Sequence, residues 1–260
     1  MQDTLKIALI QSDLIWENPG QNRINFAQKI KDIGVPVDLI LLPEMFTSGF
    51  TMNPQHLAET MQGESIKWLK EIAKHTNSAV GGSLVIEEEG HYFNRFVFVK
   101  PDGSIEKYDK RHTFTLAGEH KVYQKGQEKI IISYKGWKLC PMVCYDLRFP
   151  VWARNKEHYD LLIYVANWPK PRISAWDALL KARAIENMSY CIGVNRIGKD
   201  GNSCEYSGHS AVYDGLGEAL ISFDEDQEAT ELVTLNKTHL TDIRNKLHFL
   251  DDKDDFNLVV

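Results

Sequence analysis

The chain has 260 residues, a hydrophobic fraction of 43% and a formal net charge of -6 at pH 7. These values are typical of a folded globular protein, and the length favours one sizeable α/β domain over residues 1–260. Acidic and basic residues are mixed along the sequence, so no basic stripe predicts a nucleic-acid partner. Because no apolar stretch reaches the roughly 20 residues that cross a bilayer, and the first residues lack a basic secretion signal, we expect a cytoplasmic protein without membrane contact.

The first half of the chain alternates between strand and helix patterns and then changes to hairpins. Short apolar runs predict strands, and apolar residues at helical spacing predict helices. Turn residues at Pro101-Asp102-Gly103 and at Lys135-Gly136 predict two tight hairpins. The predicted elements are strands over 5–10, 39–42, 79–86, 91–99, 104–108, 129–134 and 137–143, and helices over 22–33 and 65–75.

The second half returns to alternation and ends in a further hairpin. The predicted elements are a helix over 174–187 and strands over 161–166, 190–196, 210–213, 218–222 and 230–235. From about residue 238 the tail is partly helical, then polar, then apolar. Its apolar end is expected either to dock on a partner subunit or to be a frayed terminus. Strand-helix units combined with hairpins predict a mixed sheet, or two sheets, covered by helices.

Three reactive side chains each follow a predicted strand: Glu44, Lys110 and Cys144. Ligands and catalytic groups gather at strand ends in α/β sheets. Taken alone, each residue has a structural explanation, as a loop carboxylate, a turn lysine or a core thiol. Their shared location at strand ends favours a catalytic site.

Metal binding and disulfide formation are not predicted. His112 and His209 are the most suggestive of nine histidines, but no HxH or HExxH spacing is present. A histidine-cysteine pair is an alternative catalytic arrangement, and it requires a histidine as the proton acceptor. The cysteines are spaced too irregularly for a disulfide framework or a zinc site, and they are Cys140, Cys144, Cys191 and Cys204.

Six ordered sequence blocks extend over nearly the whole chain. Three contain the reactive residues: LLPEMFTSG at 41–49, YDKRHTF at 108–114 and CYDLRFP at 144–150. The others are YVANWPKPR at 164–172, KARAIENMSYCIGVNRIG at 181–198 and SGHSAVYDGLGE at 207–218. Together they resemble the nitrilase superfamily of carbon-nitrogen hydrolases, and six blocks in order are far more specific than a three-residue pattern.

The resemblance implies a four-layer αββα sandwich that forms a homodimer or a higher homo-oligomer. It also implies a hydrolase of linear amides that uses no cofactor and no metal. Glu44, Lys110 and Cys144 match the catalytic triad of this superfamily. A second glutamate follows the lysine in the family, and Glu119 in LAGEH is similar to that residue.

These residue types suit amide hydrolysis through a thioester. A thiol with an ordinary pKa of about 8.5 needs activation at neutral pH, and Glu44 is the expected proton acceptor. We expect a helix beginning at Asp146 and the charge of Lys110 to favour the thiolate. Lys110 and the backbone N–H of Tyr145 are the expected donors to the oxyanion.

The substrate is also suggested by the resemblance. CYDLRFPVWARN followed by NWPKPR is most similar to the omega-amidases, which implies short 2-oxo dicarboxylic monoamides such as 2-oxoglutaramate and 2-oxosuccinamate. A guanidinium fork matches the substrate carboxylate, so Arg148 and Arg172 are candidate binding residues, with Trp168 and Phe114 as apolar walls. The alternative for either arginine is a structural ion pair. The alternatives for the protein are a nitrilase or N-carbamoyl hydrolase with the same triad, and a binding protein on this fold without the chemistry.

Overall fold

Two six-stranded sheets form the centre of the protein in the computed structural model, which describes residues 2–258. In the first sheet, the middle strands β1, β2 and β3 are parallel and their outer neighbours are antiparallel. The strands in order across this sheet are β14 (Ala229–Asn236), β1 (Thr4–Gln11), β2 (Leu39–Leu41), β3 (Ala79–Glu88), β4 (His91–Val99) and β5 (Ile105–Asp109).

The second sheet follows the same plan, with parallel β7, β8 and β9 between antiparallel edges. Its strands in order are β13 (Ala219–Ser222), β12 (Ala211–Tyr213), β9 (Tyr190–Asn195), β8 (Leu161–Ala166), β7 (Trp137–Val143) and β6 (Ile132–Tyr134). A separate antiparallel pair consists of β10 (Ile197–Lys199) and β11 (Glu205–Ser207).

Alternation of apolar side chains along each strand produces the layers. In β1, Leu5, Ile7 and Leu9 pack toward the second sheet, whereas Ala8 and Ile10 pack toward the first two helices. The helices are α1 (Pro19–Lys31), α2 (Glu64–Thr76), α3 (Pro150–Ala153), α4 (Ile173–Asn187) and α5 (Lys237–Leu247).

Helix α4 covers the second sheet at close range. A Cβ added to Gly193 of β9 would lie 2.4 Å from a methyl group of Leu180 on α4, so this contact requires glycine. With α1 and α2 on one side and α4 on the other, the two sheets form the expected αββα sandwich. None of the helices within residues 2–258 is long and apolar enough to cross a membrane.

The tail beyond β14 contacts its own subunit in the part that the structure describes. Arg244 on α5 donates to the carbonyl oxygens of Met188 and Tyr159, each at 2.7 Å. Further along, Asp255 forms an ion pair with Lys156 at 2.7 Å. The expected apolar end at Val259 and Val260 lies outside the described residues.

Some element predictions were wrong in detail. The strand predicted over 129–134 begins only at Ile132, and β10 and β11 were not predicted. The helix expected to begin at Asp146 is instead a five-residue 3-10 turn over Cys144–Arg148, followed by the four-residue α3. Pro150 explains this difference, because a proline disfavours helical geometry at the residue before it and so separates the two segments at Phe149.

Candidate active site

The carboxyl ends of β2, β5 and β7 bring three reactive side chains together. Lys110 Nζ donates a hydrogen bond to Glu44 Oε1 at 2.8 Å, and both side chains are buried. The buried thiol of Cys144 lies close enough to both for their charges to act on it. The structure therefore assembles Glu44, Lys110 and Cys144 from strand ends that are 34 to 100 residues apart in sequence.

The carboxylate of Glu44 is held on both of its oxygens. Asn94 Nδ2 donates to Oε1 at 2.7 Å, and the backbone N–H of Asn167 donates to Oε2 at 2.7 Å. Asn167 Nδ2 also donates to the backbone carbonyl oxygen of Glu44 at 2.6 Å. The next residue, Met45, has a φ of 42° and donates its N–H to Ser83 Oγ at 2.8 Å. These contacts fix the orientation of the carboxylate in the absence of substrate.

Glu119 contacts the same ammonium group. Its Oε2 lies 3.0 Å from Lys110 Nζ, and its oxygens also accept hydrogen bonds from Asn94 Nδ2 and the backbone N–H of Phe114. Burial alone would lower the pKa of Lys110, but the charges of Glu119 and Glu44 outweigh it and hold that pKa above its ordinary value. Burial raises the pKa of Glu119, and the charge of Lys110 opposes the rise. Lys110 is therefore a permanent cation between two carboxyl groups.

A glycine allows the backbone to pass closely behind the lysine. The N–H of Gly126 donates to the carbonyl oxygen of Lys110 at 2.9 Å. A Cβ at Gly126 would lie 1.9 Å from the carbonyl oxygen of Asp109, so no other residue fits. This contact fixes the position from which the lysine side chain extends.

Cys144 lies on a strained turn that one buried carboxylate holds in place. Its φ is 46°, a conformation that costs a residue with a side chain of the order of 1 to 3 kcal/mol. Asp146 Oδ2 accepts from the N–H of Val143 at 3.0 Å and from the hydroxyl of Tyr108 at 2.8 Å. Asp146 Oδ1 accepts from the backbone N–H of His112 at 2.9 Å. The turn that carries the thiol is thus tied to the segment that carries the lysine.

The charge of Lys110 favours the thiolate of Cys144 as expected, but other groups around the sulfur outweigh it. Burial, and then the charge of Glu44, raise the pKa of the Cys144 thiol well above its ordinary value, and the charge of Lys110 does not compensate. The five-residue turn also provides far less helix dipole than the helix that was expected. Both effects favour the protonated thiol, whose activation requires a base. The N–H of Tyr145 lies in the first turn of this segment, where it has no acceptor within the turn.

A cavity of about 460 Å³ opens beside the thiol and the lysine. Its lining includes all four of the residues predicted to contact substrate: Phe114, Arg148, Trp168 and Arg172. Each guanidinium lies over an aromatic ring, with Arg148 at 4.8 Å from the centre of Trp168 and Arg172 at 5.2 Å from the centre of Phe114. The aromatic rings therefore support the arginines as well as forming apolar surface.

Neither cavity arginine forms an ion pair with a carboxylate of the described residues. Within residues 2–258, no carboxylate oxygen lies within 4.0 Å of the guanidinium of Arg148 or Arg172. Other arginines of the protein are paired, such as Arg95 with Asp109 at 2.6 Å. Two unpaired guanidinium groups give the cavity a positive charge that is available to an anionic ligand.

The histidines do not offer an alternative base. No histidine is among the described residues that line the cavity. His112 Nδ1 contacts Asp146 at 2.8 Å, and its ring stacks on Phe149 with centres 3.8 Å apart. His209 is likewise engaged with Asp177 at 3.1 Å. The histidine-cysteine arrangement therefore has no support in the geometry.

Three residues of the site were not singled out from the sequence. Asn94 and Asn167 position Glu44, and Asp146 positions the cysteine turn. Asn94 could have been found from its polar side chain within the apolar strand HYFNRFVFV. A polar group that is buried there needs hydrogen-bond partners, which indicates a structural or functional role. Asn167 and Asp146 lie within the conspicuous blocks but have no side-chain pattern that reveals which atoms they contact.

A four-layer α/β sandwich with a buried thiol, a lysine and two glutamates beside one cavity contains the groups from which cysteine-dependent hydrolases are built. The family model named carbon-nitrogen hydrolase matches residues 6–245, and the chain belongs to this family.

Three similar proteins cover almost the whole chain. The omega-amidase YafV of Escherichia coli K12 is 42% identical over 254 residues, which are 98% of each chain. A 2-oxoglutaramate amidase of Bacillus subtilis is 30% identical over 251 residues, which are 95% of this chain and 96% of the relative. The structure of XC1258 from Xanthomonas campestris, a CN-hydrolase superfamily protein with an arsenic adduct in its active site, has a TM-score of 0.95 at 39% identity and covers 99% of this chain and 100% of that chain.

Proposed function

We propose that this protein is an omega-amidase that releases ammonia from the terminal carboxamide of small 2-oxo dicarboxylic acid monoamides, such as 2-oxoglutaramate and 2-oxosuccinamate. The observation that carries the proposal is a single cavity lined by the Cys144 thiol and by two arginines without carboxylate partners. Such a cavity fits a short molecule with an amide at one end and a carboxylate at the other. The omega-amidase and 2-oxoglutaramate amidase relatives support the same substrate class.

The charges of the cavity favour a 2-oxo acid over a 2-amino acid. Asp200 is the acidic side chain among the described lining residues, and its oxygens are already occupied. Its Oδ1 accepts from the N–H groups of Asn202 and Cys204, and its Oδ2 accepts from the hydroxyl of Tyr206 at 2.8 Å. An ammonium group at C2, as in glutamine, would meet the two arginines without a free carboxylate to balance it.

In the proposed acylation, Glu44 accepts the thiol proton of Cys144 as sulfur attacks the amide carbon. The new S–C bond pushes the carbonyl electron pair onto oxygen, and Lys110 and the N–H of Tyr145 donate to this oxyanion. Removing one such donor typically costs about 3 to 4 kcal/mol. When the C–N bond breaks, the protonated Glu44 gives its proton to nitrogen, and ammonia leaves a thioester on the enzyme.

In the proposed deacylation, water attacks the thioester and Glu44 accepts a proton from it. The second tetrahedral intermediate collapses with cleavage of the C–S bond. Glu44 returns its proton to sulfur, which restores the thiol, and the new carboxylic acid loses its remaining proton to solvent as the 2-oxo dicarboxylate leaves. Glu119 holds Lys110 through both halves of the cycle, and no cofactor or metal takes part in this scheme.

We also propose that the protein acts as a single carbon-nitrogen hydrolase domain in a cytoplasmic homodimer or higher homo-oligomer. Ile185 on α4 and Leu216 after β12 are 45% and 46% exposed, so their apolar surface is available to a partner subunit. Ile185 lies against Gly217, so the two apolar side chains belong to one area of the surface. Sedimentation of the wild type and of Ile185→Glu tests this, because a monomeric wild type would contradict the proposal.

The substrate proposal predicts which amide is cleaved and which change impairs it. Ammonia release from 2-oxoglutaramate is expected to exceed that from glutamine, asparagine and a simple nitrile, and Cys144→Ala is expected to release none. Arg148→Gln and Arg172→Gln are compared on 2-oxoglutaramate and on pentanamide, which lacks the carboxylate. The arginine that binds the carboxylate is expected to lose tenfold or more in kcat/KM on 2-oxoglutaramate alone, as a lost charge-assisted bond requires.

A matched control removes one positive charge elsewhere. Lys70→Gln changes an exposed side chain of α2 outside the cavity, and it is expected to leave both substrates unaffected. Equal rates on all amides would contradict the substrate class. Ammonia release by Cys144→Ala at the wild-type rate would contradict the thiol mechanism.

A further inference from the structure

A single buried amide group bridges the two glutamates of the site. Asn94 is 1% exposed in the middle of β4. Its Nδ2 donates to Glu44 Oε1 at 2.7 Å and to Glu119 Oε1 at 3.2 Å. Lys110 Nζ donates to the same two oxygens, at 2.8 and 3.1 Å. One neutral donor and one cation thus share the two facing carboxylate oxygens.

The orientation of this amide is determined by a second polar contact. Asn94 Oδ1 accepts the hydroxyl hydrogen of Ser83 at 2.8 Å, and Ser83 Oγ accepts the N–H of Met45, the residue after Glu44. The N–H of Met45 can only donate, so the serine hydroxyl hydrogen is free to point to Asn94 Oδ1, and the carboxylates of Glu44 and Glu119, which accept, favour the NH2 group on their side. The NH2 group is thereby directed at the two carboxylates.

The placement of this NH2 group prevents a particular unproductive state. Two buried carboxyl groups in contact can share one proton in a hydrogen bond between their oxygens, and Glu44 would then be unable to accept another. In this protein the oxygens that would share that proton are occupied by Asn94 Nδ2 and Lys110 Nζ. Lys110 has three N–H groups and uses one of them for the oxyanion in the proposed mechanism, whereas the Asn94 NH2 group donates to the two glutamates alone.

We propose that Asn94 is a positioning residue that keeps Glu44 separate from Glu119 and available as the proton acceptor while Lys110 also donates to the substrate oxygen. The inference deepens the proposed amidase function and rests on it. Asn94 does not line the cavity, so it acts through the glutamates and not on the substrate. The titratable groups that surround the bridge are Glu44, Glu119, Lys110, Cys144 and Tyr123.

The test uses two replacements of similar size with opposite consequences. Asn94→Leu removes the donor at every pH, so its kcat/KM relative to wild type is expected to fall about tenfold or more and to fall further toward acidic pH. Asn94→Asp adds a third carboxyl group, whose O–H replaces the lost donor only when it is protonated. Its activity relative to wild type is therefore expected to rise about tenfold as pH is lowered from 8 to 6.

A buried asparagine elsewhere provides the matched control. Asn155 Nδ2 donates to the carbonyl oxygens of Tyr159 and Asn187, each at 3.0 Å, and Asn155 does not line the cavity. Asn155→Leu is expected to lower stability without changing the pH profile of kcat/KM. If Asn94→Leu does not fold, Ser83→Ala is used in its place. This change removes the hydroxyl that orients the Asn94 amide, so it is expected to give the same pH trend with a smaller loss of kcat/KM.

Opposite pH trends for the leucine and aspartate replacements would support the inference. Parallel profiles for both, with only a uniform loss as in Asn155→Leu, would overturn it while leaving the amidase function in place. A wild-type enzyme that releases no ammonia from any carboxamide would overturn the proposed function, and this inference with it.

Discussion

Replacing Asp146 by asparagine is expected to disconnect the nucleophile from the lysine. The side chain of Asp146 is fully buried and accepts four hydrogen bonds, from Val143 N–H, the Tyr108 hydroxyl, and the backbone N–H and Nδ1 of His112. An asparagine has a similar shape but only one oxygen. With its NH2 group toward Val143 and Tyr108, both of those donors lose their acceptor; with the NH2 group toward His112, the backbone N–H loses its acceptor and Nδ1 can itself accept as the other tautomer.

The expected magnitude follows from that count. A buried donor without a partner costs about 1 to 3 kcal/mol, so the less costly orientation, which leaves one such donor, reduces the free energy of unfolding by about that amount. This is a large part of the 5 to 15 kcal/mol that is typical of whole domains. Because the turn at Cys144 has a φ of 46°, release of these contacts also allows it to relax, which withdraws the thiol from Glu44. We therefore expect kcat to fall more than tenfold, with KM changed less.

The assay combines urea unfolding with ammonia release from 2-oxoglutaramate below the unfolding transition. Asp160→Asn serves as a control, since Asp160 is also buried and accepts from Lys138 N–H and Lys237, outside the cavity. The control is expected to lose stability and to retain kcat in the folded fraction. If folded Asp146→Asn keeps kcat within twofold of wild type, the carboxylate does not hold the reactive geometry and the reasoning is refuted.

Two further changes test the packing around the site. Burial raises the pKa of the Cys140 thiol to about 12, so the folded state keeps a proton that the unfolded chain loses above pH 8.5. The free energy of unfolding of the wild type is then expected to fall with rising pH. Its excess over that of Cys140→Ala is expected to shrink by about 2 kcal/mol between pH 8.5 and pH 10. A difference that stays constant over this range would exclude the Cys140 thiol as the cause. Gly126→Ala places a methyl group against the carbonyl of Asp109 and is expected to lower both the melting temperature and kcat. If both stay at their wild-type values, the segment around Gly126 moves without cost and the close contact is not required.

The sequence predicts the positions of the reactive residues correctly where a local pattern has a direct structural consequence. The run from Leu39 to Leu42 is apolar enough to be a buried central strand, and Pro43 ends it, so Glu44 had to follow a strand end. The same reasoning placed Lys110 and Cys144 at strand ends. The resemblance then predicted the sandwich architecture, which the observed layers confirm.

The failures came from contacts that join distant parts of the chain. Asn94 meets Glu44 across 50 residues, and no local period reveals which strand is its neighbour. The thiol environment was misjudged because burial depends on the whole fold, and its effect on the pKa of Cys144 exceeds that of Lys110. The helix expected from Asp146 failed for a local reason, since Pro150 was visible in the sequence and limits the turn.

The electrostatics of the site explain why a protonated cysteine is compatible with catalysis in the proposed mechanism. With Glu44 and Glu119 as carboxylates, Lys110 as a cation and Cys144 as a thiol, the buried group carries a formal charge of about -1. After attack, Glu44 holds the proton, the sulfur is bonded to carbon and the new negative charge lies on the substrate oxygen, so the total is unchanged. In a buried site, creating a charge is expensive, whereas moving one over a short distance beside a fixed cation is not. A thiolate formed by loss of its proton to solvent would add a second net negative charge to the resting enzyme, whereas transfer of that proton to Glu44 during attack leaves the total charge unchanged.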